Sequence, residues 1–245
     1  MRPVNYDAIA SEYDTRYARN RYDGVRACVH RHVGRSKIVA EVGCGTGHWL
    51  TGLALTGTSR LVGIDLSAGM LARARVAAPS ALLLRATAER LPIANGSLDR
   101  VFCVNAVHHF TDAQAFVREC RRVLRPSGEL LTIGLDPHHG GDRWWIYDYF
   151  PAALKADLCR YPAASSIRGW MIEAGFRDAI TEVAQHLPAE MSLDAARERG
   201  FLDRSATSQL MVIDDADYEE GIRRLEADRP LLRSDLRLYV TIGQT

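Results

Sequence analysis

The chain has 245 residues, of which 47% are hydrophobic and 25% are charged, the balance of an ordinary globular protein. Its net charge of +1 offers no electrostatic basis for binding nucleic acid or an anionic membrane surface, and no apolar run is long enough to cross a bilayer. Five dispersed cysteines without a Cys-x-x-Cys pair, and a start without an apolar signal segment, favour reduced thiols in a cytoplasmic protein.

The first part of the chain predicts helix and is rich in tyrosine. Beyond residue 35, short apolar and β-branched runs alternate with helical stretches. The predicted strands are 37–43, 60–65, 81–86, 99–105 and 129–135, and the predicted helices between them are 46–56, 67–77 and 112–124. This alternation indicates βαβ units and a parallel sheet covered by helices on both faces.

The C-terminal part predicts two further strands, at 178–187 and 236–243. The stretch between them is too long for a hairpin loop, and helices near 192–200 and 214–228 are expected to fill it. We therefore expect a single α/β domain spanning the whole chain. Its expected parts are an N-terminal helical cap (1–35), a sheet core (36–187 with 234–245) and a helical insertion before the last strand (188–233).

A glycine-rich loop, EVGCGTG, follows the first predicted strand. Gly43, Gly45 and Gly47 permit left-handed turns and let a ligand approach the backbone closely. The dinucleotide pattern G-x-G-x-x-G fails because its last glycine falls on His48, and no Gly-Lys-Ser/Thr of a P-loop is present. Glu41 instead places an acid two residues before the first glycine. This pattern suits a cationic ligand without phosphate, and S-adenosylmethionine (SAM) carries a sulfonium and an ammonium group and no phosphate.

Asp65 ends the second predicted strand, in the segment VGIDLS. A carboxylate at this place can accept hydrogen bonds from both hydroxyls of a ribose. Leu66 and Met70 follow at a spacing that suits an apolar wall for adenine. The alternative role for Asp65 is to cap the helix that begins near Ser67. In combination with the glycine loop, ribose binding is the favoured interpretation.

Four segments, IVAEVGCGTGHW, VGIDLSAGML, AERLPIANGSLDRVFCVNAVHHF and RRVLRPSGELL, together resemble class I SAM-dependent methyltransferases of the small-molecule, methyltransferase type 11-like kind. The resemblance covers roughly residues 36–135, and YDAIASEYDTRY is similar to the family's N-terminal tyrosine-bearing helix. It implies a doubly wound, Rossmann-like sheet of seven strands, mostly parallel, whose last strand is antiparallel.

The resemblance also implies where SAM binds. The glycine loop matches the family's methionine-binding loop, and Asp65 matches its ribose acid. Residues 87–89 match the segment beside adenine, with Thr87 at a place where the family usually has aspartate. Residues 105–106 match the end of the fourth strand, and Tyr13 matches a tyrosine that covers the cofactor. The expected cofactor-binding residues are Tyr13, Glu41, Gly43, Cys44, Gly45, Gly47, Asp65, Leu66, Met70, Thr87, Ala88, Glu89, Asn105 and Ala106.

Three residues are candidates for catalysis. His108 and His109 follow the fourth strand, and in methyltransferases that this chain resembles a His-His pair at this place lies near the acceptor. Because imidazole is a suitable base near neutral pH, we expect at least one of them to act on the acceptor, with His108 favoured. Packing under the cofactor loop is the alternative. Asp136 follows the fifth strand and is expected to orient a histidine or bind the acceptor, a solvated loop carboxylate being its alternative role.

An aromatic segment, GGDRWWIYDYF, follows the fifth strand. Trp144, Trp145 and Tyr147 are expected to line or close an acceptor pocket, which predicts an apolar or aromatic acceptor. Their alternative role is in the core or a subunit interface. His138 and His139 do not predict a metal site, because adjacent histidines usually point apart.

The sequence thus predicts a SAM-dependent methyltransferase that acts on a small molecule and releases S-adenosylhomocysteine (SAH). We expect no nucleic acid, membrane or metal as partner, and a monomer or homodimer. Two alternatives stay open: a methyltransferase of a quinone or biotin pathway, and a protein that binds SAM to sense it or to catalyse another reaction. The near-neutral charge argues against a nucleic-acid methyltransferase.

Overall fold

The computed structural model describes residues 4–11, 13–33, 38–57 and 60–245. Within these ranges, one mixed sheet is formed by strands that alternate with helices along the chain. The strands are β1 (Ile38–Val42), β2 (Arg60–Asp65), β3 (Leu82–Arg85), β4 (Leu98–Val104), β5 (Leu124–Gly134), β6 (Arg143–Trp144), β7 (Arg177–Ser192) and β8 (Leu231–Gln244).

The helices of the described ranges fall into three groups along the chain. The first three precede the sheet, the next six follow its parallel strands, and the last three lie between β7 and β8. They are α1 (Tyr6–Ile9), α2 (Thr15–Arg19), α3 (Asp23–Val33), α4 (His48–Ala54), α5 (Ala68–Ala77), α6 (Ala113–Val123), α7 (Trp145–Tyr149), α8 (Pro151–Arg160), α9 (Ala164–Glu173), α10 (Leu193–Glu198), α11 (Ser208–Val212) and α12 (Asp215–Asp228). None of them is long and apolar enough to cross a membrane.

The strands are ordered β3-β2-β1-β4-β5-β8, and β7 also pairs with β8. The first five strands are mutually parallel, whereas β8 runs antiparallel to both β5 and β7. The predicted doubly wound, mostly parallel sheet with an antiparallel last strand is therefore confirmed. The strand order reverses direction between β1 and β4, and such a switch point opens a crevice at the carboxyl ends of the strands.

Both faces of the sheet are covered by helices, as β4 shows. Val101 and Cys103 belong to one buried cluster together with side chains of α6 and α9. Phe102 and Val104 belong to the opposite cluster, which contains side chains of α3 and α4. Because alternate residues of a strand face opposite sides, burial of both faces requires an uninterrupted apolar run, and this is the pattern that marks β4 in the sequence.

The last two strands are longer than the sequence predicts. β7 continues to Ser192 instead of ending at 187, and β8 begins at Leu231 instead of 236, with regular pairing from Leu187↔Leu236 to Ser192↔Leu231. The helices of the predicted insertion accordingly occupy 193–228 rather than 188–233. The extension was missed because it is only partly buried and therefore has no continuous apolar run.

Helices α8 and α9 were not predicted, and neither was the two-residue strand β6. The predicted N-terminal helical segment contains α1, α2 and α3, whereas its residues 1–3, 12 and 34–35 lie outside the described residues, as do residues 36–37 of the predicted core. Helices α7, α8 and α10–α12 bury a third apolar cluster, separate from the two that cover the sheet. We call residues 145–160 and 193–228, which form this cluster, the cap.

Candidate active site

The glycine loop turns sharply at the carboxyl end of β1. Gly43, Gly45 and Gly47 have φ values of +74°, +53° and +83°, a region that glycine adopts at little cost. The Gly43 amide donates to the Ile64 carbonyl at 2.8 Å, which ties the loop to the end of β2. A Cβ atom on Gly43 would lie 2.4 Å from the Cβ of Ala106, so the loop also packs tightly against the end of β4.

Asp65 connects the glycine loop with helix α5. Its Oδ2 accepts a hydrogen bond from the Gly45 amide at 2.8 Å, and its Oδ1 accepts one from the Ser67 amide at 2.9 Å. Ser67 is the N-cap residue of α5, and its hydroxyl accepts a hydrogen bond from the Met70 amide at 3.0 Å. Burial raises the pKa of Asp65, although the backbone hydrogen bonds oppose the shift. The carboxylate is thus held in place at the cavity described next.

A cavity of about 770 Å³ lies beside this loop, within the range of about 300–1,000 Å³ that is typical of small-ligand sites. We call it the loop cavity. Its wall includes most of the residues that were expected to bind SAM. These are Tyr13, Gly43, Gly45, Asp65, Leu66, Met70, Thr87, Ala88, Glu89, Asn105 and Ala106. The structure thus brings together residues from five segments of the chain at the carboxyl edge of the sheet.

Three of the expected residues lie outside the wall of the loop cavity. Cys44 is buried, with its Sγ 3.0 Å from where a Cβ on Gly63 would stand. A Cβ atom on Gly47 would lie 3.2 Å from the Cβ of Ala74 in α5, so the lack of a side chain lets α4 and α5 approach. Glu41 is 1% exposed, and its Oε2 has no hydrogen-bond partner among the described residues. Burial and the nearby Asp65 raise the pKa of Glu41 well above its usual value.

A second cavity, of about 730 Å³, lies between the sheet edge and the cap. We call it the cap cavity. Its wall includes Trp144, Trp145, Tyr161 and Gln209. The two cavities share wall residues at their junction. The shared residues are Tyr6, Tyr13, Tyr17, Val104, Asn105, His108 and His109. A group bound in one cavity can therefore meet a group bound in the other at the two histidines.

The two histidines are held in different ways. His108 is 9% exposed and stacks on Tyr161, with ring centroids 3.8 Å apart. His109 Nε2 is hydrogen-bonded to the Tyr6 hydroxyl. Burial lowers the pKa of His108 well below its usual value and lowers that of His109 to about 3, and the guanidinium groups of Arg160 and Arg16 add to both shifts. Both imidazoles are consequently uncharged near neutral pH.

This shift predicts an acid-sensitive fold. With a folded pKa of about 3 and an ordinary value of 6.5, His109 takes up a proton in the unfolded chain before it does so in the folded chain. Its contribution to stability is therefore present above pH 6.5 and is lost as the pH falls toward 3. Each such proton changes the free energy of unfolding by about 1.4 kcal/mol per pH unit.

Urea unfolding between pH 7 and pH 4 should show that the free energy of unfolding falls less steeply with decreasing pH in His109→Gln than in the wild type. The difference in slope should correspond to the uptake of about one proton. Glutamine retains a partner for Tyr6 but does not titrate. His30→Gln, at a histidine of α3 outside both cavities, is the matched control and should keep the wild-type slope. An unchanged slope in His109→Gln would contradict the depressed pKa.

Asn105 shapes the junction through its backbone. Its φ of +51° is left-handed, a conformation uncommon outside glycine, although asparagine tolerates it better than most residues. Its amide donates to the Ile133 carbonyl at 2.7 Å, which fixes the turn to β5. Strained backbone of this kind clusters at ligand-binding sites, and Asn105 belongs to the wall of both cavities.

Asp136 lies outside both cavities, and its carboxylate is hydrogen-bonded to neither His108 nor His109. Its Oδ1 accepts from the His138 amide at 3.0 Å, and its Oδ2 accepts from the Ala164 amide at 3.0 Å. Both oxygens thus hold the turn after β5 and the start of α9. We correct the expected catalytic role accordingly: Asp136 supports the backbone behind the site.

The residues of the aromatic segment have two roles: some line the cap cavity, and one holds a helix behind it. Trp144 and Trp145 belong to the wall of the cap cavity, whereas Tyr147 does not. The Tyr147 hydroxyl instead donates to Asp157 Oδ2 at 2.6 Å. Glu89, expected beside adenine, does line the loop cavity, and its Oε1 also accepts from the Thr111 amide at 2.8 Å.

The structure adds residues that sequence reasoning did not single out. Arg16 and Tyr161 line the cap cavity, and Arg160 lines the loop cavity. No motif or spacing marks them, because α8 was not predicted and Arg16 lies in a stretch noted only for its tyrosines. In the described part of the chain, no group of three His, Cys, Asp or Glu side chains is placed to hold a metal ion.

Comparison with known proteins places this site in a family. Residues 40–132 match the model of a methyltransferase domain family. The chain is 30% identical over 168 residues to an uncharacterized methyltransferase of Synechocystis, an alignment that covers 66% of this chain and 74% of that protein. It is 34% identical over 135 residues to the malonyl-acyl-carrier-protein O-methyltransferase of Hahella chejuensis, covering 54% of this chain but only 48% of that protein.

Among solved structures, a protein of Anabaena variabilis assigned as a methyltransferase of an antibiotic biosynthesis pathway superposes with a TM-score of 0.68 at 21% identity, over 89% of this chain and 95% of that one. At this identity the likeness concerns the fold alone. The sheet order, the glycine loop with Asp65, the domain match and the Synechocystis relative agree. The chain belongs to the class I SAM-dependent methyltransferases.

Proposed function

We propose that this chain transfers the methyl group of SAM to a small apolar or aromatic acceptor that binds in the cap cavity. The observation that carries this proposal is the junction of the two cavities at Asn105, His108 and His109. SAM in the loop cavity would present its methyl group at this junction, and the tryptophans of the cap cavity offer the acceptor an aromatic wall.

The shape and charge of the loop cavity support SAM as its occupant. Asp65 would accept hydrogen bonds from the ribose hydroxyls, while Leu66 and Met70 provide apolar surface for adenine. The methionyl part of SAM would then lie along Gly43 and Gly45, where no side chain covers the backbone. The Asp65 carboxylate at this end suits a ligand with a sulfonium and an ammonium group.

The reaction requires little covalent participation by the protein. An acceptor atom forms a bond to the methyl carbon while the bond from that carbon to sulfur breaks, and SAH leaves. The protein contributes by aligning the two molecules in a dry site. We propose that His108 accepts the proton that the acceptor loses. Its low pKa keeps the ring unprotonated, as a proton acceptor must be, and suits an acceptor whose proton is already acidic.

The cap and the N-terminal helices would act as a lid. Residues 206–209 of the cap and the tyrosines of the N-terminal segment both contribute to the wall of the cap cavity. Arg16 joins these two parts, because its Nη2 donates to the Ser205 carbonyl at 2.9 Å. We therefore propose residues 193–228 as a lid that excludes water during transfer.

The first experiment measures SAM binding by calorimetry and SAH release with a panel of small aromatic acceptors. SAM binding together with acceptor-dependent SAH release is expected. SAM binding without SAH release from any acceptor would favour the alternative of a SAM sensor or of a catalyst of another reaction. The similarity to a malonyl-acyl-carrier-protein methyltransferase makes a malonyl thioester the first test of the biotin-pathway alternative, and a quinone precursor tests the other.

Replacing His108 by alanine should lower turnover by about 10², because a positioned base typically contributes at least that much. SAM affinity should stay within about twofold of wild type, since Asp65 and the glycine loop remain intact. Steady-state kinetics with the accepted substrate and SAM calorimetry are the measurements. His30→Ala, at a histidine of α3 outside both cavities, is the control. Full activity of His108→Ala, or a loss confined to SAM affinity, would contradict the proposed role.

A further inference from the structure

Arg160 is held by a buried polar network in the cap. Its Nε donates to Asp157 Oδ1 at 2.8 Å, and its Nη2 donates to Ser208 Oγ at 2.8 Å. Asp157 is fully buried and also accepts hydrogen bonds from Tyr147 and Gln209. Since each of these partners is itself fixed, the guanidinium is oriented before any ligand arrives.

One edge of this guanidinium is left without a partner. The Arg160 side chain is 6% exposed, and its Nη1 makes no hydrogen bond to any described residue. A buried donor on a charged group that stays unsatisfied is costly, because it has given up its hydrogen bonds to water without replacing them. The ion pair with Asp157 uses Nε and Nη2 only, so the N–H groups of Nη1 are surplus to that structural role.

The position of Arg160 is at the boundary of the two cavities. Its side chain lines the loop cavity, whereas its neighbours Tyr161, Ser208 and Gln209 line the cap cavity. The guanidinium lies over the Tyr161 ring, with its Cζ 5.0 Å from the ring centroid, and His108 stacks on the same ring. Arg160 therefore stands next to the place where the methyl group is transferred.

The charges near the site are divided between its two ends. Asp65 lies at the end where SAM would bind. Arg160 and Arg16 stand at the junction, where their guanidinium groups add to the lowering of the pKa of both histidines. Asp157 balances the charge of Arg160 through Nε and Nη2, but the N–H groups of Nη1 have no acceptor among the described residues. An acceptor anion would supply one.

We propose that Arg160 binds an anionic oxygen of the acceptor through Nη1, so that the natural acceptor is an aromatic or apolar molecule bearing a carboxylate or an equally acidic oxygen. This inference rests on the proposed function, because it places the acceptor beside SAM. Guanidinium favours such a group, since charge-assisted hydrogen bonds to carboxylates are about twice as strong as neutral ones. Arg160 is thus a specificity residue for the acceptor.

The test uses SAH-loaded protein and two probes of equal shape, 2-naphthoate and 2-naphthamide. Calorimetry or ligand-observed NMR should show that the wild type binds the carboxylate at least about tenfold more tightly than the amide, a difference of about 1.4 kcal/mol. Equal binding of the two probes, or no binding of 2-naphthoate at about 10 mM, would overturn the inference.

Two variants separate the binding of an acceptor anion by Arg160 from its structural ion pair with Asp157. Arg160→Lys keeps a cation for Asp157 but removes the planar donor fork. The double variant Asp157→Asn with Arg160→Gln removes both charges, so that no unpaired charge stays buried. In both, the preference for 2-naphthoate should fall to about twofold or less, while SAH affinity stays within about twofold of wild type. Arg197→Lys, in a surface pair with Glu226, is the control and should keep the wild-type preference.

The outcomes also distinguish this inference from the proposed function. If SAH affinity falls as much as 2-naphthoate affinity, Arg160 binds the carboxylate of the cofactor, and the inference is wrong although the methyltransferase function stands. If the wild type binds SAH but does not discriminate between the probes, the inference alone fails. If the wild type does not bind SAH at all, the proposed function fails with it.

Discussion

Replacing Asp65 by alanine should weaken SAM binding by about 2–4 kcal/mol, or about 30- to 1,000-fold. Two ribose hydroxyls would lose a charged acceptor. In addition, the Gly45 amide would lose the carboxylate that holds the glycine loop at 2.8 Å, so the loop itself would be less well positioned. Calorimetry with SAM and with SAH is the direct measurement, and thermal unfolding shows whether the variant is folded.

The control for this variant is Asp112→Ala, which removes the carboxylate that caps α6. The Asp112 side chain accepts from the Ala115 amide at 2.8 Å at the start of α6, and Asp112 is not part of the wall of the loop cavity. Its loss should cost about 1 kcal/mol of stability without changing SAM affinity. A folded Asp65→Ala protein with wild-type affinity would show that the ribose does not bind at Asp65.

A methyl group on Gly43 should abolish SAM binding. In Gly43→Ala the new Cβ would lie 2.4 Å from the Cβ of Ala106, far inside van der Waals contact, at a φ of +74°. The left-handed backbone costs an L-residue about 1–2 kcal/mol, and the clash must in addition push the loop away from the end of β4. We expect SAM affinity to fall by more than about 100-fold, together with a lower melting temperature.

A second substitution separates the clash from the backbone strain. In the double variant Gly43→Ala with Ala106→Gly, the clashing atom is gone, and much of the SAM affinity should return. Gly96→Ala supplies the matched reference, because Gly96 also has positive φ, at +57°, but a Cβ there would meet nothing within 4 Å. If Gly43→Ala binds SAM normally, or if the double variant is no better than the single one, the loop does not depend on this contact.

The sheet could be predicted from the sequence because its signals are local. Strands buried on both faces need unbroken apolar runs, as in residues 101–104 of β4. The glycine loop and Asp65 could be predicted for the same reason. A turn at the end of a strand requires glycine at particular positions, and a carboxylate at the end of the neighbouring parallel strand lies at the same sheet edge.

The ends of β7 and β8 could not be predicted, because a partly exposed strand lacks the apolar run that marks a buried one. The role of Asp136 depended on α9, whose Ala164 amide takes one of its oxygens. From sequence, a carboxylate after a strand has the same appearance whether it faces a ligand or caps a helix. Only the packing of α9 against the turn separates the two.

The sequence by itself thus determined the family, the sheet and the segments that line the loop cavity, since each follows from short-range patterns. Tertiary structure alone decided the cap cavity and its junction with the loop cavity. Arg160 lies in α8, whereas Ser208 and Gln209 lie in α11, and no spacing relates the two helices. The same packing removes His108 and His109 from water, and it is this desolvation, beside two guanidinium groups, that keeps both imidazoles uncharged.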